Sequence, residues 1–200
     1  MLRNRFIATA AAKLEKLAHR SAFFSELYAR PYRSVVQGEV DLAGIRSDDC
    51  VLNVGCGAIP FTAIHVARLT DASVLAMDRD PSAVMAARQC LERLGLDKMI
   101  SLIIGDAGRE VPPGFTVALV ALQAEPKAEI FEQLTRRCGG GARFVFRMPS
   151  DRFVGQYDSL KGTPRPDAFT RQNMQTFDRS ELFLCGSPAA GSCEVYENVL

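Results

Sequence analysis

From Cys50 onward, short runs rich in β-branched and aliphatic residues alternate with longer stretches whose apolar positions recur every three or four residues. Residues 50–54, 73–78, 100–104, 117–122 and 142–147 read as strands, and residues 61–69, 80–94 and 126–137 as helices. The middle helix opens on Asp80-Pro81, with proline in its first turn, and closes at Gly95. Strands alternating with helices in this way predict an α/β fold: a doubly wound, mostly parallel sheet of about seven strands with helices on both faces.

Ahead of the first strand the pattern is helical. Phe6, Ala10, Leu14, Leu17 and Ala18 fall on one stripe; Arg30-Pro31 then interrupts, and Tyr32, Val35, Val36, Glu39 and Val40 predict a second helix closing near Gly44. Residues 1–45 are therefore expected to form a helical extension to a sheet domain spanning 46–200. After Arg147 the alternation stops. Residues 150–180 are polar and contain Gly162, Pro164 and Pro166, so a loop or lid with one short helix is expected there. Residues 182–185 and 194–200 are expected to close the sheet as an antiparallel pair at its edge.

Composition narrows the classes of function. A length of 200 residues suits one domain, large enough to bury a core without help from metal or disulfide. Twenty-four Lys and Arg against 23 Asp and Glu leave a net charge of +1, too balanced for long-range attraction to a polyanion, so no nucleic-acid partner is expected. The longest clean apolar runs fall far short of the roughly 18 residues of a membrane helix, and no membrane partner is expected. Arg3 and Arg5 precede an apolar run, but Lys13, Glu15 and Lys16 interrupt it and no small-residue cleavage site follows, which points to a cytoplasmic protein. The six cysteines form no C-x-x-C pair and have only two histidines as co-ligands. No metal site is expected, and the thiols are expected to be reduced and mostly buried.

The candidate chemistry lies after the strands. In an open parallel sheet, ligands bind beyond the carboxyl ends, where the strand order reverses. Gly55-Cys56-Gly57 follows the first strand and lets backbone approach a ligand without a Cβ in the way, and the next helix offers free N–H groups. Asp78 ends the second strand, where a carboxylate can accept both hydroxyls of an adenosine ribose. Asp106, after the third strand, is placed for the adenine edge. Arg79 and Ala107, each following one of these acids, belong to the same expected binding set. A dinucleotide site usually carries a third glycine beside the pyrophosphate, but here that position is Pro60, flanked by Ile59 and Phe61. An uncharged, thioether-like tail suits this apolar turn better, and the pattern resembles that of class I S-adenosylmethionine-dependent transferases.

The resemblance narrows further. Gly55-Cys-Gly-Ala-Ile-Pro60-Phe-Thr62 resembles the G-S-G-P-L-P-L-T stretch of nicotianamine synthases, and Asp78-Arg-Asp80-Pro-Ser-Ala83 resembles their D-I-D-P-S-A. Tyr32, followed by Glu39 in Gly-Glu-Val-Asp-Leu, is similar to their Y…L-E-F-D-L segment, and residues 121–147 to their strand, helix and arginine-ended strand. The likeness runs from about residue 28 to the C-terminus, with a gap over 150–180.

It implies a Rossmann-like class I methyltransferase fold with S-adenosylmethionine as cofactor. It also implies transfer of the 3-amino-3-carboxypropyl group to a small amine or amino-acid-like acceptor. Tyr32 and Glu39 are then the candidates on the substrate side, and Arg147 for a carboxylate contact. Where ordinary class I methyltransferases often carry an acid for the cofactor's ammonium, this chain has Asn53, which can hydrogen-bond there without supplying a countercharge. Ordinary methyl transfer and a non-catalytic adenosine-binding module are the rival expectations.

Overall fold

The structure, a computed structural model, describes residues 22–160 and 162–186, with side chains from Tyr32 onward. The expected helix around residues 6–18 and the expected strand at 194–200 lie outside the described residues.

Helix α1 (Ala22–Ala43) runs through Arg30-Pro31 without a break, contrary to the expected stop. Proline inside a helix costs about 3 kcal/mol. Downstream, Val35, Val36, Val40 and Ala43 are sealed against the rest of the protein, and each buried valine returns roughly 1.5–3 kcal/mol. Tertiary burial therefore overrides the local signal. The same stripe carries Tyr32 and Glu39, two turns apart.

The alternation after Cys50 builds β1 (Cys50–Val54), α2 (Phe61–Thr70), β2 (Ser73–Asp78), α3 (Pro81–Leu94), β3 (Ile100–Ile104), β4 (Val117–Val120), α4 (Lys127–Arg137) and β5 (Ala142–Pro149). These follow the expected elements closely, with β4 ending two residues earlier and β5 two later. Asp80 caps α3 by accepting the Ser82 N–H at 2.8 Å, with Pro81 behind it and Gly95 closing the helix in the left-handed region.

The region after Arg147 differs from expectation. In place of one long loop, β6 (Ala168–Arg171) and β7 (Phe177–Cys185) form the antiparallel pair, with β6 at the edge. The expected strand at 182–185 is only the second half of β7. An edge strand need not bury alternate residues: three of the four β6 residues are exposed, so it leaves no apolar signature in the sequence.

The sheet order is β3-β2-β1-β4-β5-β7-β6, and every pair is parallel except β5–β7 and β6–β7. Direction reverses between β1 and β4, the switch point where the carboxyl ends leave a crevice. Side-chain alternation splits the core in two. Val51, Leu119, Val145 and Leu182 face α1 and α2; Leu52, Val120, Phe144, Phe146 and Phe183 face the other side, where Phe131 of α4 packs on three of the phenylalanines. Two residues beyond Val145, Arg147 therefore emerges on the α1–α2 face.

Cys50, Cys56 and Cys90 are free and buried. Cys138, just beyond α4, and Cys185, at the end of β7, are joined as a disulfide, a correction to the expected set of reduced thiols. The β5–β7 pairing brings the two chain segments together, and the Gly141 N–H donates to the Cys185 carbonyl at 2.8 Å.

Candidate functional site

At the carboxyl ends of β1 to β5 the connections enclose a cleft of about 430 Å³. Its floor is the turn after β1. Gly55 and Gly57 adopt φ of 77° and 68°, in the left-handed region open to glycine at no steric cost. A Cβ on Gly55 would also come within 3.2 Å of Ala121 and 3.3 Å of Ala124, so the bare position lets the β4–α4 connection close against the turn. The Gly55 and Cys56 N–H groups both donate to the Met77 carbonyl, at 2.8 and 3.1 Å. Burial, then the charge of Asp78, push the Cys56 thiol up, so it stays protonated and neutral.

Asp78 binds the turn to β2. Its Oδ2 accepts the Gly57 N–H at 2.8 Å and its Oδ1 accepts the Asp80 N–H at 3.0 Å. The carboxylate is pinned between the glycine turn and the start of α3, yet each oxygen keeps acceptor capacity for a ligand hydroxyl. Asp106 lines the same wall. Its Oδ1 accepts the Gly108 N–H at 3.0 Å, and Arg109 stands 3.7 Å from its Oδ2. Arg79 and Ala107 also line the cleft, Arg79 reaching the Glu125 carbonyl at 3.3 Å.

The opposite wall carries Tyr32, Phe61, Thr62 and Arg147. The Tyr32 and Phe61 rings stack with centroids 5.6 Å apart. The Arg147 guanidinium lies 5.8 Å from the Tyr32 ring and 5.6 Å from Phe177. Its Nε and Nη2 donate to the two Glu39 oxygens at 2.8 and 2.7 Å, and Nη2 also donates to Thr62 Oγ1 at 2.9 Å. Three of its five N–H groups are thus committed. The two on Nη1 have no partner among the described residues and remain open to the cleft. Burial works against the charge on Arg147, but Glu39, by proximity and hydrogen bonding, and Tyr32 outweigh it and hold the guanidinium protonated.

Two residues expected to touch ligand do not line the cleft. Glu39 is 1% exposed and is spent behind Arg147, where Ser180 also donates to it at 2.8 Å. The helical stripe that carries it faces inward, so Glu39 holds Arg147 in place of a substrate. Asn53 is also 1% exposed; its Nδ2 donates to the Leu119 carbonyl at 3.4 Å and its Oδ1 has no partner among the described residues. Strand alternation puts Asn53 on the α1–α2 face with Val51, beneath the floor of the cleft.

Gln123, Glu125, Gln156 and Tyr157 line the cleft and were not expected there. Glu125 lies beyond β4 as Asp106 lies beyond β3, so the same carboxyl-end rule picks it out; Gln156 and Tyr157 lie on the hydrogen-bonded turns at 151–157, which no sequence pattern marks. Lys127 fixes this side. Its Nζ donates to the Leu122 and Ala124 carbonyls at 2.6 and 3.0 Å, and its backbone N–H donates to Asp158 Oδ2 at 2.7 Å. Burial draws its pKa down to about 8 despite the nearby charges of Asp158 and Glu125. Among the described residues no group of His, Cys, Asp and Glu forms a metal site, and no helix is long and apolar enough to cross a membrane.

Comparison with known proteins places this geometry. No protein-family model matches the chain. It is 32% identical over 131 residues, 61% of its length, to L-histidine 2-aminobutanoyltransferase of Yersinia pestis, and spans about half (49%) of that protein. Among solved structures, nicotianamine synthase MtNAS in complex with MTA and tNA superposes with a TM-score of 0.79 at 22% identity, covering 92% of this chain and 74% of that one. An RNA methyltransferase from Salinibacter ruber in complex with S-adenosyl-L-homocysteine superposes at 0.64 with 17% identity, over 81% of this chain and 97% of that one. The fold is the Rossmann-like fold of class I methyltransferases, as the strand pattern and the glycine turn predict.

Proposed function

We propose that this chain binds S-adenosylmethionine in the cleft and transfers its 3-amino-3-carboxypropyl group to a small amino-acid-like amine. The observation that carries the proposal is the two-sided cleft. On one side the Gly57 N–H and Asp78 join the glycine turn to a carboxylate suited to a ribose diol; across from it Arg147 holds two free N–H groups for a carboxylate. The likeness to an aminobutanoyltransferase and to a nicotianamine synthase supports the same reading.

The residues present fit this cofactor. Asp78 offers acceptors for hydroxyls, Asp106 and Ala107 line the adenine side, and the neutral Cys56 and apolar Ile59 suit a thioether-like segment better than a diphosphate. The bound sulfonium makes each of its three attached carbons electrophilic. The protein's part is positioning: which carbon stands in line with the nucleophile decides which group moves. The paired Tyr32 and Phe61 rings wall the substrate side. Arg147, clamped by Glu39 and by two aromatic rings, gives a carboxylate a rigid target. A cytoplasmic setting, expected from the sequence, belongs to this proposal.

Incubation with S-adenosylmethionine and L-histidine, read by mass spectrometry, tests it. Release of methylthioadenosine is expected. Formation of S-adenosylhomocysteine alone would replace the proposal with methyl transfer, and binding without either product would leave a cofactor-binding module.

A further inference from the structure

The planar guanidinium of Arg147 fixes where a further donor must stand. Its side-on fork, Nε–H with the near proton of Nη2, is taken by the two Glu39 oxygens at 2.8 and 2.7 Å. The far proton of Nη2 shares the end-on fork with Nη1, and it goes to Thr62 Oγ1 at 2.9 Å. The Thr62 hydroxyl therefore occupies one tooth of the fork that an incoming carboxylate would otherwise grip with both oxygens.

Thr62 is 7% exposed and lines the cleft. Its oxygen accepts from Arg147, but its own proton has no acceptor among the described residues. The reason is its place in α2. Thr70 and Thr135, further along their helices, each donate to the carbonyl four residues back, Val66 and Phe131, at 2.8 Å. Thr62 is the second residue of α2, so the position four back is Ala58, in the turn before the helix, and no such bond forms. The backbone N–H groups of Thr62 and Ala63 likewise have no acceptor among the described residues, as is usual in the first turn of a helix. The Glu39 carboxylate balances the Arg147 charge, so an anion at this wall depends on directed donors rather than on net charge.

We propose that Thr62 and Arg147 together bind the carboxylate of an α-amino acid group: the Thr62 hydroxyl donates to one oxygen and Arg147 Nη1 to the other. This inference rests on the carboxylate contact in the function proposed above and adds a second donor to it. The hydroxyl becomes a link in a chain, Nη2–H to Oγ1 and Oγ1–H to the ligand, in which each bond polarises the next. Two molecules bring such a carboxylate to the cleft: the amino-acid-like acceptor, and S-adenosylmethionine through its own aminocarboxypropyl group.

Calorimetry on wild type, Thr62→Val and Thr62→Ser separates these sources. The probes are S-adenosylmethionine, methylthioadenosine, which lacks the aminocarboxypropyl carboxylate, and L-histidine added to protein saturated with methylthioadenosine. Thr62→Val, similar in shape but without a hydroxyl, is expected to weaken the carboxylate-bearing ligand about 10- to 100-fold, the scale of a hydrogen bond to a charged group, and to leave methylthioadenosine within about twofold. Thr62→Ser keeps the hydroxyl and should bind as wild type does. A loss for S-adenosylmethionine assigns the cofactor's carboxylate to Thr62; a loss confined to L-histidine assigns the acceptor's. A crystal structure of Thr62→Val should retain both bonds between Arg147 and Glu39.

Unchanged S-adenosylmethionine affinity in Thr62→Val, together with L-histidine binding that is unchanged or absent in wild type, overturns the inference. An equal loss for methylthioadenosine also overturns it, by marking a general distortion of the cleft. So does a guanidinium displaced from Glu39 in the variant, which would make Thr62 a support for Arg147 alone. Wild-type protein that binds neither S-adenosylmethionine nor methylthioadenosine overturns the function proposed above, and this inference with it.

Discussion

Arg147 and Glu39 lie 108 positions apart in the chain and meet through two parallel hydrogen bonds of 2.8 and 2.7 Å, both side chains almost fully buried. Ser180 is the cross-strand neighbour of Arg147 and donates to the same Glu39 carboxylate; Gln172 in turn donates to Ser180 at 3.1 Å. A relay of polar side chains therefore runs from the sheet edge, through α1, to the cleft. Removing one member of a buried pair strands the other charge. Glu39→Ala is expected to lower unfolding free energy by about 3–5 kcal/mol, measured by urea denaturation. A loss under 1 kcal/mol, in a variant that still folds to the same secondary-structure content, would mean that Arg147 does not depend on Glu39.

Asp78 is the β2 side chain that, among the described residues, hydrogen-bonds the glycine turn, through the Gly57 N–H at 2.8 Å. Asp78→Ala is expected to weaken S-adenosylmethionine binding roughly 10- to 100-fold, equivalent to about 1.5–3 kcal/mol for hydrogen bonds to a charged group. Calorimetry on the folded variant checks it. An unchanged dissociation constant removes Asp78 from the site.

Asn53 makes the opposite prediction. Its Oδ1 is buried with no partner among the described residues, and leaving such a group unsatisfied costs about 1–3 kcal/mol. Asn53→Leu, close in volume, should keep or raise the unfolding free energy and leave cofactor affinity within about twofold, because the side chain lies beneath the cleft. A tenfold or larger loss of affinity would return Asn53 to the binding set.

Lys127 ties stability to pH. Its pKa falls from 10.5 in the unfolded chain to about 8 in the fold, chiefly through burial. Between these values the unfolded state binds more protons than the folded one, so this residue's contribution to stability rises with pH across that window. The gain is at most about 3 kcal/mol at 1.36 kcal/mol per pKa unit. Denaturation at pH 7.5 and pH 10 should show the wild type gaining on Lys127→Met as pH rises. An equal response in both proteins would mean that Lys127 titrates normally in the fold.

Much of the scaffold was legible because its signals are local. A run of apolar residues ended by Gly55-Cys56-Gly57, a carboxylate closing the next strand, and Asp80-Pro81 opening a helix each depend on a handful of adjacent backbone conformations. The edge hairpin was missed for the converse reason: β6 is exposed, with nothing in its pattern to separate it from a loop. Pro31 carried a true local preference that burial of the following turns overcame.

Alone, the sequence determined the order of strands and helices, the position of the glycine turn and the acids that end neighbouring strands, since these follow from side-chain periodicity and backbone sterics over a few residues. Only the tertiary structure decided which charges cancel and which stay free: that Glu39 is spent on Arg147, that Asn53 lies under the floor, and that two N–H groups of Arg147, at the cleft, have no partner among the described residues. Pairing between distant residues depends on how strands align and which helix face turns inward, and a charged side chain looks the same in the sequence whether its partner is another residue or a ligand.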